Sequence, residues 1–307
     1  MVEEVVVIGS GPAGLTASIY LARELLNPLV ITGDFGGQPT LTEIIENYPG
    51  FPNGVAGAEL VERMKKQAER FGARFLNDKV TKVDFSKTPF QIFVGNELIE
   101  AKSVIIATGS KPRLLGVEGE SKFFGRGVST CATCDAPLFA NKIVAVVGGG
   151  DTAVQDALIL TKFAKKVYLI HRRNELRASK VEQQKLFANQ KIEVIWDSVV
   201  EKIIGDKKVE KIQVKNLKTN ETKEIACDGL FLAIGEIPNS EIFTEIEKDE
   251  AGYIKTTEEV KTNIKGVFAA GDVVDRRYRQ VITACASGAK AALEAISFLK
   301  ESGAAGI

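Results

Sequence analysis

At 307 residues and 45% hydrophobic composition, the chain can bury a substantial core and has length for two domains rather than one. Lysine plus arginine equals aspartate plus glutamate at 40 each, which excludes a bulk field that would gather nucleic acid or an anionic membrane. Four cysteines exclude a disulfide scaffold, and the absence of a basic N-terminal segment or any stretch approaching a membrane span predicts cytoplasmic residence with no membrane partner.

In chain order, the apolar run over residues 5–8 predicts a strand, and the helical pattern over 15–25 predicts a helix. Between them Gly9-Ser10-Gly11-Pro12-Ala13-Gly14 fits G-x-G-x-x-G in the strand-then-helix context that gives this pattern weight. There the glycines let backbone N–H groups approach a pyrophosphate at the positive end of a helix. The strand over 29–32 ends in Thr32-Gly33, with Asp34 as the acidic candidate just beyond. A glycine-rich loop (Gly36-Gly37-Gln38) and a proline-rich loop (Glu46-Asn47-Tyr48-Pro49-Gly50) follow. Leu60, Val61, Met64, Ala68 and Phe71 share one helical face, capped by Gly72, and read as core packing only. Short strands over 80–85, 90–94 and 98–101 precede a buried strand that ends Ala107-Thr108-Gly109.

The segment Ser129-Thr130-Cys131-Ala132-Thr133-Cys134-Asp135 contains C-x-x-C. Two thiols at this spacing can close and reopen a small disulfide ring, storing two electrons. The same spacing supplies half of a zinc site, but only Cys227, Cys285 and the single histidine, His171, remain as further ligands, which favours redox chemistry and no metal.

The opening order then repeats. A strand over 143–147 leads into Gly148-Gly149-Gly150-Asp151-Thr152-Ala153, which fits G-x-G-x-x-A, and a helix to about residue 163. The next strand, 166–170, ends in His171-Arg172-Arg173, with Arg177 beyond. Where an acidic residue would bind a free 2′-hydroxyl, this basic cluster suits a 2′-phosphate, hence NADP rather than NAD. Strands over 192–196, 199–203 and 209–214 follow, and the run closes with Ala233-Ile234-Gly235 and Pro238, echoing Ala107 to Pro112. The chain is therefore internally duplicated. Gly9 to Ala107 is 98 positions and Gly148 to Ala233 is 85, and the loop over 36–51 accounts for the excess. Two units of one design imply two different dinucleotides. The last part returns to the first theme: a strand ending Gly271-Asp272, then Arg279-Gln280, then an alanine-rich helix over 281–299 whose dipole favours an anionic ligand such as a reduced flavin. The tail is expected to fray past Ser302.

Taken together, GSGPAG, GGQ, ENYPG, ATG, CATCD, GGGDTA, HRR with Arg177, AIG, and AGD with YRQ make the chain resemble the low-molecular-weight, FAD-dependent, NADPH-linked thioredoxin reductases over nearly its full length. The resemblance implies an α/β fold of two Rossmann-like three-layer dinucleotide-binding domains, the second inserted into the first. The FAD-binding domain would comprise 1–112 and 240–307, and the NADPH-binding domain 113–239. It implies that Gly9, Gly11, Pro12, Ala13, Gly14, Asp34, Gly36, Gly37, Gln38, Asn47, Thr108, Gly109, Gly271, Asp272, Arg279, Gln280 and Val281 hold FAD. Gly149, Gly150, Asp151, Thr152, His171, Arg172, Arg173, Arg177, Ile234 and Gly235 would hold NADPH. In that family Cys134 faces the flavin, Cys131 is the interchange thiol that attacks thioredoxin, and Asp135 is the general acid and base. The inserted domain would turn about linkers near 111–115 and 237–242. The implied partners are thioredoxin or a thioredoxin-like protein and a second copy of the chain, as a homodimer. The departures from the family are Ala136-Pro137 after the CATCD run, which stiffens that turn, and Cys285 in the flavin-side helix, where a small residue is typical, read as a buried small hydrophobe. A related flavin enzyme with another donor (NADH, ferredoxin) or acceptor (a glutaredoxin-like or peroxidase partner), and a non-catalytic redox-sensing or zinc-holding binding module that merely retains nucleotide folds, are the rival readings.

Overall fold

The computed structural model describes residues 2–303. The chain divides into two compact units: an outer one of Met1–Lys111 with Ile237–Ile307, and an inner one of Pro112–Glu236. The chain passes between them twice, and the two crossings, Ser110–Pro112 and Glu236–Pro238, pair as a two-stranded sheet.

The outer unit is built on a parallel sheet in the order Arg74–Leu76, Leu29–Ile31, Val2–Ile8, Glu97–Ile106, Val267–Ala269. Val5, Val6 and Val7 are fully buried, as a parallel strand covered on both faces requires. On one face Val5, Val7 and Ile105 meet the small residues of two helices, Pro12–Arg23 and Val281–Glu301. The opposite face, carrying Val6, Ile8 and Ile106, packs on Val83, Phe90 and Ile92 of an antiparallel meander. The expected break between residues 101 and 103 does not occur. Glu97–Ile106 is one strand whose first half ladders with Phe90–Val94 and whose second half joins the parallel sheet. At the changeover, Lys102 donates to Glu4 (2.7 Å) and Ser103 to the Gly266 carbonyl (2.9 Å), so the two polar residues are satisfied without ending the strand. Gly57–Arg70 buries the predicted face, and Gly72, with φ +102°, follows its end.

One expectation is overturned. Val281–Glu301 is long and apolar enough, by length and composition, to cross a membrane. Its apolarity comes from a buried stripe of Ala284, Cys285, Gly288, Ala291, Ala292 and Ala295 that packs on Pro12–Arg23, and Leu293 on its other side is exposed. The helix belongs to the unit's core. Ser302 and Gly303 form a turn after it, and the rest of the tail expected to fray lies outside the described residues.

The inner unit repeats the plan with a sheet in the order Ile192–Ile195, Lys166–Ile170, Ile143–Gly148, Gly229–Ala233, Val128–Ser129, all parallel. One face packs on the helix Asp151–Leu160, the other on the antiparallel strands Ser198–Ile204, Lys211–Asn216 and Thr222–Ala226. Three elements carry too little pattern to be read from sequence. Thr222–Ala226 is an edge strand with one buried residue, Ile225. The helix Lys180–Ala188 buries only Leu186 fully, and Val128–Ser129 is two residues long. Asp151–Leu160 stops short of residue 163: the Lys162 and Phe163 N–H groups bond the Ile159 and Leu160 carbonyls three residues back (3.1 and 3.0 Å), a tightened turn that follows the last helical residue.

Candidate active site and coenzyme loops

In the outer unit the predicted residues converge at the C-terminal ends of the parallel strands, the usual ligand-binding edge of such a sheet. Gly9 donates to the Ile31 carbonyl (2.9 Å), and Gly14 has no room for a side chain because a Cβ there would overlap the Gly9 carbonyl. This close approach brings the helix Pro12–Arg23 down onto the strand end. A Cβ on Gly11, by contrast, meets nothing within 4 Å, and the helix it caps has no side-chain cap, which leaves the first-turn N–H groups without a capping side chain. Gly37 lies against Gly11, Gly36 N–H donates to buried Ser10 (3.4 Å), and Gln38 Nε2 donates to the Ser110 carbonyl (3.3 Å). Gly271 abuts Ala13 and donates to Ser287 Oγ (2.8 Å), placing Asp272, half-buried, beside the same helix start. Asn47 Nδ2 donates to Gln280 Oε1 (3.1 Å), and Gln280 in turn caps Val281–Glu301 in a reciprocal bond with Thr283, while Arg279 adopts φ +48° and Val281 begins the helix. Thr108 and Gly109 are held by Asn239: Thr108 Oγ1 donates to its carbonyl (2.6 Å), its Nδ2 donates to the Thr108 carbonyl (2.9 Å), and its N–H to that of Gly109 (3.0 Å).

Sequence reasoning missed Asn239, Ser10 and Ser287 as supports. The signal for Asn239 was its place directly after the second echo proline. Asp34 stands apart from this group: its side chain is 85% exposed and pairs with Lys79 (3.2 Å).

The inner unit has the corresponding loop. Gly148 closes its strand against Ala233, and Gly150, whose Cβ would meet nothing within 4 Å, caps Asp151–Leu160 without a side-chain bond. Asp151 accepts from the Ser179 N–H (2.8 Å), Thr152 is exposed, and Gly235, with φ +104° after Ile234, accepts from the Arg113 N–H (3.0 Å). Arg172, Arg173 and Arg177 are exposed, and among the described residues none forms an ion pair. His171 behaves differently from its three neighbours. It is 5% exposed, and its Nε2 is buried without a hydrogen-bond partner; burial foremost holds the imidazole below its usual range.

The C-x-x-C turn follows the edge strand Val128–Ser129 of the same unit. Cys131 and Cys134 form a disulfide, and Cys131–Asp135 is a single helical turn in which Cys131 Sγ accepts from the Cys134 N–H (3.1 Å). Ala132 and Ala136 on the inward side are fully buried against Ala153 and Ala157, which fixes the turn on the helix behind the glycine loop. Pro137 is the second residue of the 3-10 turn Ala136–Phe139, which continues without a flexible residue. Ser129 links the parts: its hydroxyl accepts from the Cys131 N–H (3.0 Å) and donates to Asp135 Oδ2 (2.6 Å). Burial pushes the Asp135 carboxyl up, and the Ser129 bond pulls it part of the way back. A carboxyl moved towards neutrality beside a thiol pair is suited to carry a proton to and from sulfur. The other two cysteines are inert by contrast. Burial pushes the Cys227 thiol up to about 12, and Cys285, also raised by burial, packs among Leu15, Leu60 and Val61 with Tyr48 Oη at 3.9 Å. No group of metal-ligating side chains assembles among the described residues.

The two glycine loops and the dithiol turn define a class. The pattern of the pyridine nucleotide-disulphide oxidoreductases matches residues 3–288, and the chain belongs to that family, whose members use flavin and nicotinamide cofactors. It is 49% identical over 305 residues to the thioredoxin reductase of Rickettsia typhi, covering 97% of this chain and 98% of that one. With the thioredoxin reductase of Streptomyces coelicolor it shares 47% identity, covering 97% and 94%. Among solved structures, thioredoxin reductase from Streptococcus pyogenes MGAS5005 superposes with a TM-score of 0.93 at 41% identity, covering 97% and 98%. That from Giardia duodenalis superposes at 0.91, again at 41% identity and with coverage of 97% and 98%.

Proposed function

We propose that the chain is an NADPH-dependent thioredoxin-disulfide reductase, taking electrons from NADPH through FAD to the Cys131–Cys134 disulfide and from there to thioredoxin or a thioredoxin-like protein. The observation that carries this reading is a disulfide turn with a partly buried carboxyl, Asp135, in a chain with two glycine loops, one of which is followed by exposed arginines that form no ion pair among the described residues. When bound, flavin supplies the exchange between the two electrons of a nicotinamide hydride and those a disulfide accepts.

The outer unit's open loop at Gly11 to Gly14, with Gly36 to Gln38, Asn47, Thr108, Gly109, Asp272 and Gln280 around it, fits FAD: its helix start presents uncapped N–H groups to a pyrophosphate. The inner loop at Gly149 to Thr152, with its uncapped helix start, fits NADPH, and the exposed Arg172, Arg173 and Arg177 would bind the 2′-phosphate through the planar, multi-donor geometry of guanidinium. In the reduced enzyme the Cys131 thiolate attacks one sulfur of the partner's disulfide, forming a mixed disulfide and releasing the other partner sulfur. Cys134 then attacks Cys131, re-forming the ring and releasing the partner's second thiol. Asp135 takes the proton from the attacking side and returns it to the leaving thiolate. The family resemblance also supports a cytoplasmic homodimer.

The test is a dithiol assay with purified protein, thioredoxin, and NADPH or NADH. A yellow protein bleached by NADPH that reduces thioredoxin faster with NADPH than with NADH is expected. A colourless protein that flavin cannot reconstitute, or one that leaves thioredoxin oxidised with both donors, overturns the reading.

A further inference from the structure

The basic cluster divides in two. Arg172, Arg173 and Arg177 reach into solvent, whereas the His171 ring runs inward between Trp196, met edge-on at 6.4 Å between centroids, and the glycine loop. A Cβ built on Gly149 would overlap Cε1, Nδ1 and Nε2 of that ring. Gly149 is held from another direction as well: its carbonyl accepts the N–H of Arg177 (2.7 Å) and of Ala178 (3.2 Å). The loop residue is thus clamped between a flat ring and the backbone that carries Arg177. The Nε2 atom, buried under protein atoms, offers an incoming phosphate no access.

We infer that His171 is a positioning residue which wedges the Gly149 loop into shape for either nicotinamide coenzyme, leaving discrimination of the 2′-phosphate to Arg172, Arg173 and Arg177. The inference rests on the inner unit being the coenzyme site. It explains why a glycine is needed at 149, where φ imposes no such requirement: the ring has taken the space. It also explains why a residue in the middle of a cationic cluster is buried and held towards its uncharged form, since burial disfavours the imidazolium and the flanking arginines add repulsion.

The experiment titrates the flavin-loaded enzyme with NADP⁺ and NAD⁺ by calorimetry, comparing wild type with His171→Ala, His171→Phe, Gly149→Ala, Gly149→Ala with His171→Ala, and Arg172→Ala with Arg173→Ala. Expected for His171→Ala is a rise in Kd of about tenfold for both coenzymes, leaving their ratio unchanged. His171→Phe, a flat ring without nitrogen, should recover most of the affinity. Gly149→Ala should weaken both coenzymes, and removing the ring in the double variant should restore part of the loss, because the new methyl then has room. Loss of NADP⁺ affinity alone in His171→Ala and His171→Phe, matching the arginine variant, overturns the wedge, as does strict additivity in the double variant. If His171→Ala fails to fold, the Phe and Gly149 variants still decide. Failure of the underlying site assignment has its own signature: neither coenzyme responds to the arginine pair or to Gly149→Ala.

Discussion

The two units place different chemistry at one structural position. In each, the strand after the closing strand of the parallel sheet arrives in the same register: Val267 pairs with Val104, three residues before Ala107, and Val128 pairs with Leu230, three residues before Ala233. Cys131 therefore stands where the outer unit has Ala270, just ahead of Gly271-Asp272. Outer and inner versions differ in when that strand is made. Val267–Ala269 comes after the meander and runs into the long helix Val281–Glu301, which covers the glycine-loop helix through Gly288 and Ala284. Val128–Ser129 comes before its unit's first strand and runs into the dithiol turn, which covers the equivalent helix through Ala132 and Ala136. One slot at the sheet's edge can thus hold either a Gly-Asp turn or a dithiol turn, because both need a short turn packed by small residues on a helix. The strand ends diverge likewise: Asp34, paired with Lys79, in one unit and, in the other, three exposed arginines without an ion pair among the described residues.

Substitutions can break this comparison at graded cost. Cys134→Ser, in the slot unique to the inner unit, should lower thioredoxin reduction by about 10³-fold or more while coenzyme-dependent bleaching of the flavin persists. Sustained disulfide turnover by that variant in the dithiol assay contradicts the pathway. Asp135→Asn should lower turnover by about 10²-fold or more. Its stability effect has the opposite sign. The folded-state carboxyl is raised above its unfolded value, so its contribution to stability is fully present below the unfolded pKa and is lost as pH rises through the folded one. At neutral pH the buried carboxylate therefore costs stability, and the amide should raise Tm there but not at acid pH. Scanning calorimetry at both pH values checks it, and an equal change at each removes the carboxyl as the cause.

Arg172→Ala with Arg173→Ala should raise KM for NADPH by about 10- to 100-fold with little change for NADH, as expected for charge-assisted contacts to a 2′-phosphate alone. Equal losses with both donors would refute that role. Asp34→Ala, at the matching strand end of the outer unit, should change neither. Gly288→Val should be smaller still in activity and felt in stability, by about 1–3 kcal/mol, since a Cβ at 288 would overlap the Ala13 backbone. Flavin release on mild heating should rise in this variant, with coenzyme binding to the inner unit unaltered.

Much of the fold was legible. Strand-glycine-helix order at residues 5–25 and 143–160, the echoed Ala107 and Ala233 segments, and the helix face of Leu60, Val61 and Met64 all carry strong local periodicity, and the duplicated α/β plan follows from them. Thr222–Ala226 and Lys180–Ala188 were not legible, because each buries one residue and its polar faces give no period. In the cluster of basic residues, four neighbours in sequence looked alike; burial separated His171 from the arginines only once Trp196 and Gly149 were brought against it.

Residue order alone determined the family, the two glycine loops, the dithiol and the charge at each strand end, since these are local patterns a short stretch can carry. Which small residues lie between helices, which hydroxyl bridges Cys131 to Asp135, and which member of a polar cluster turns inward were decided by tertiary structure. Those outcomes depend on what packs from distant parts of the chain, and burial, not composition, sets the ionisation and reach of each group.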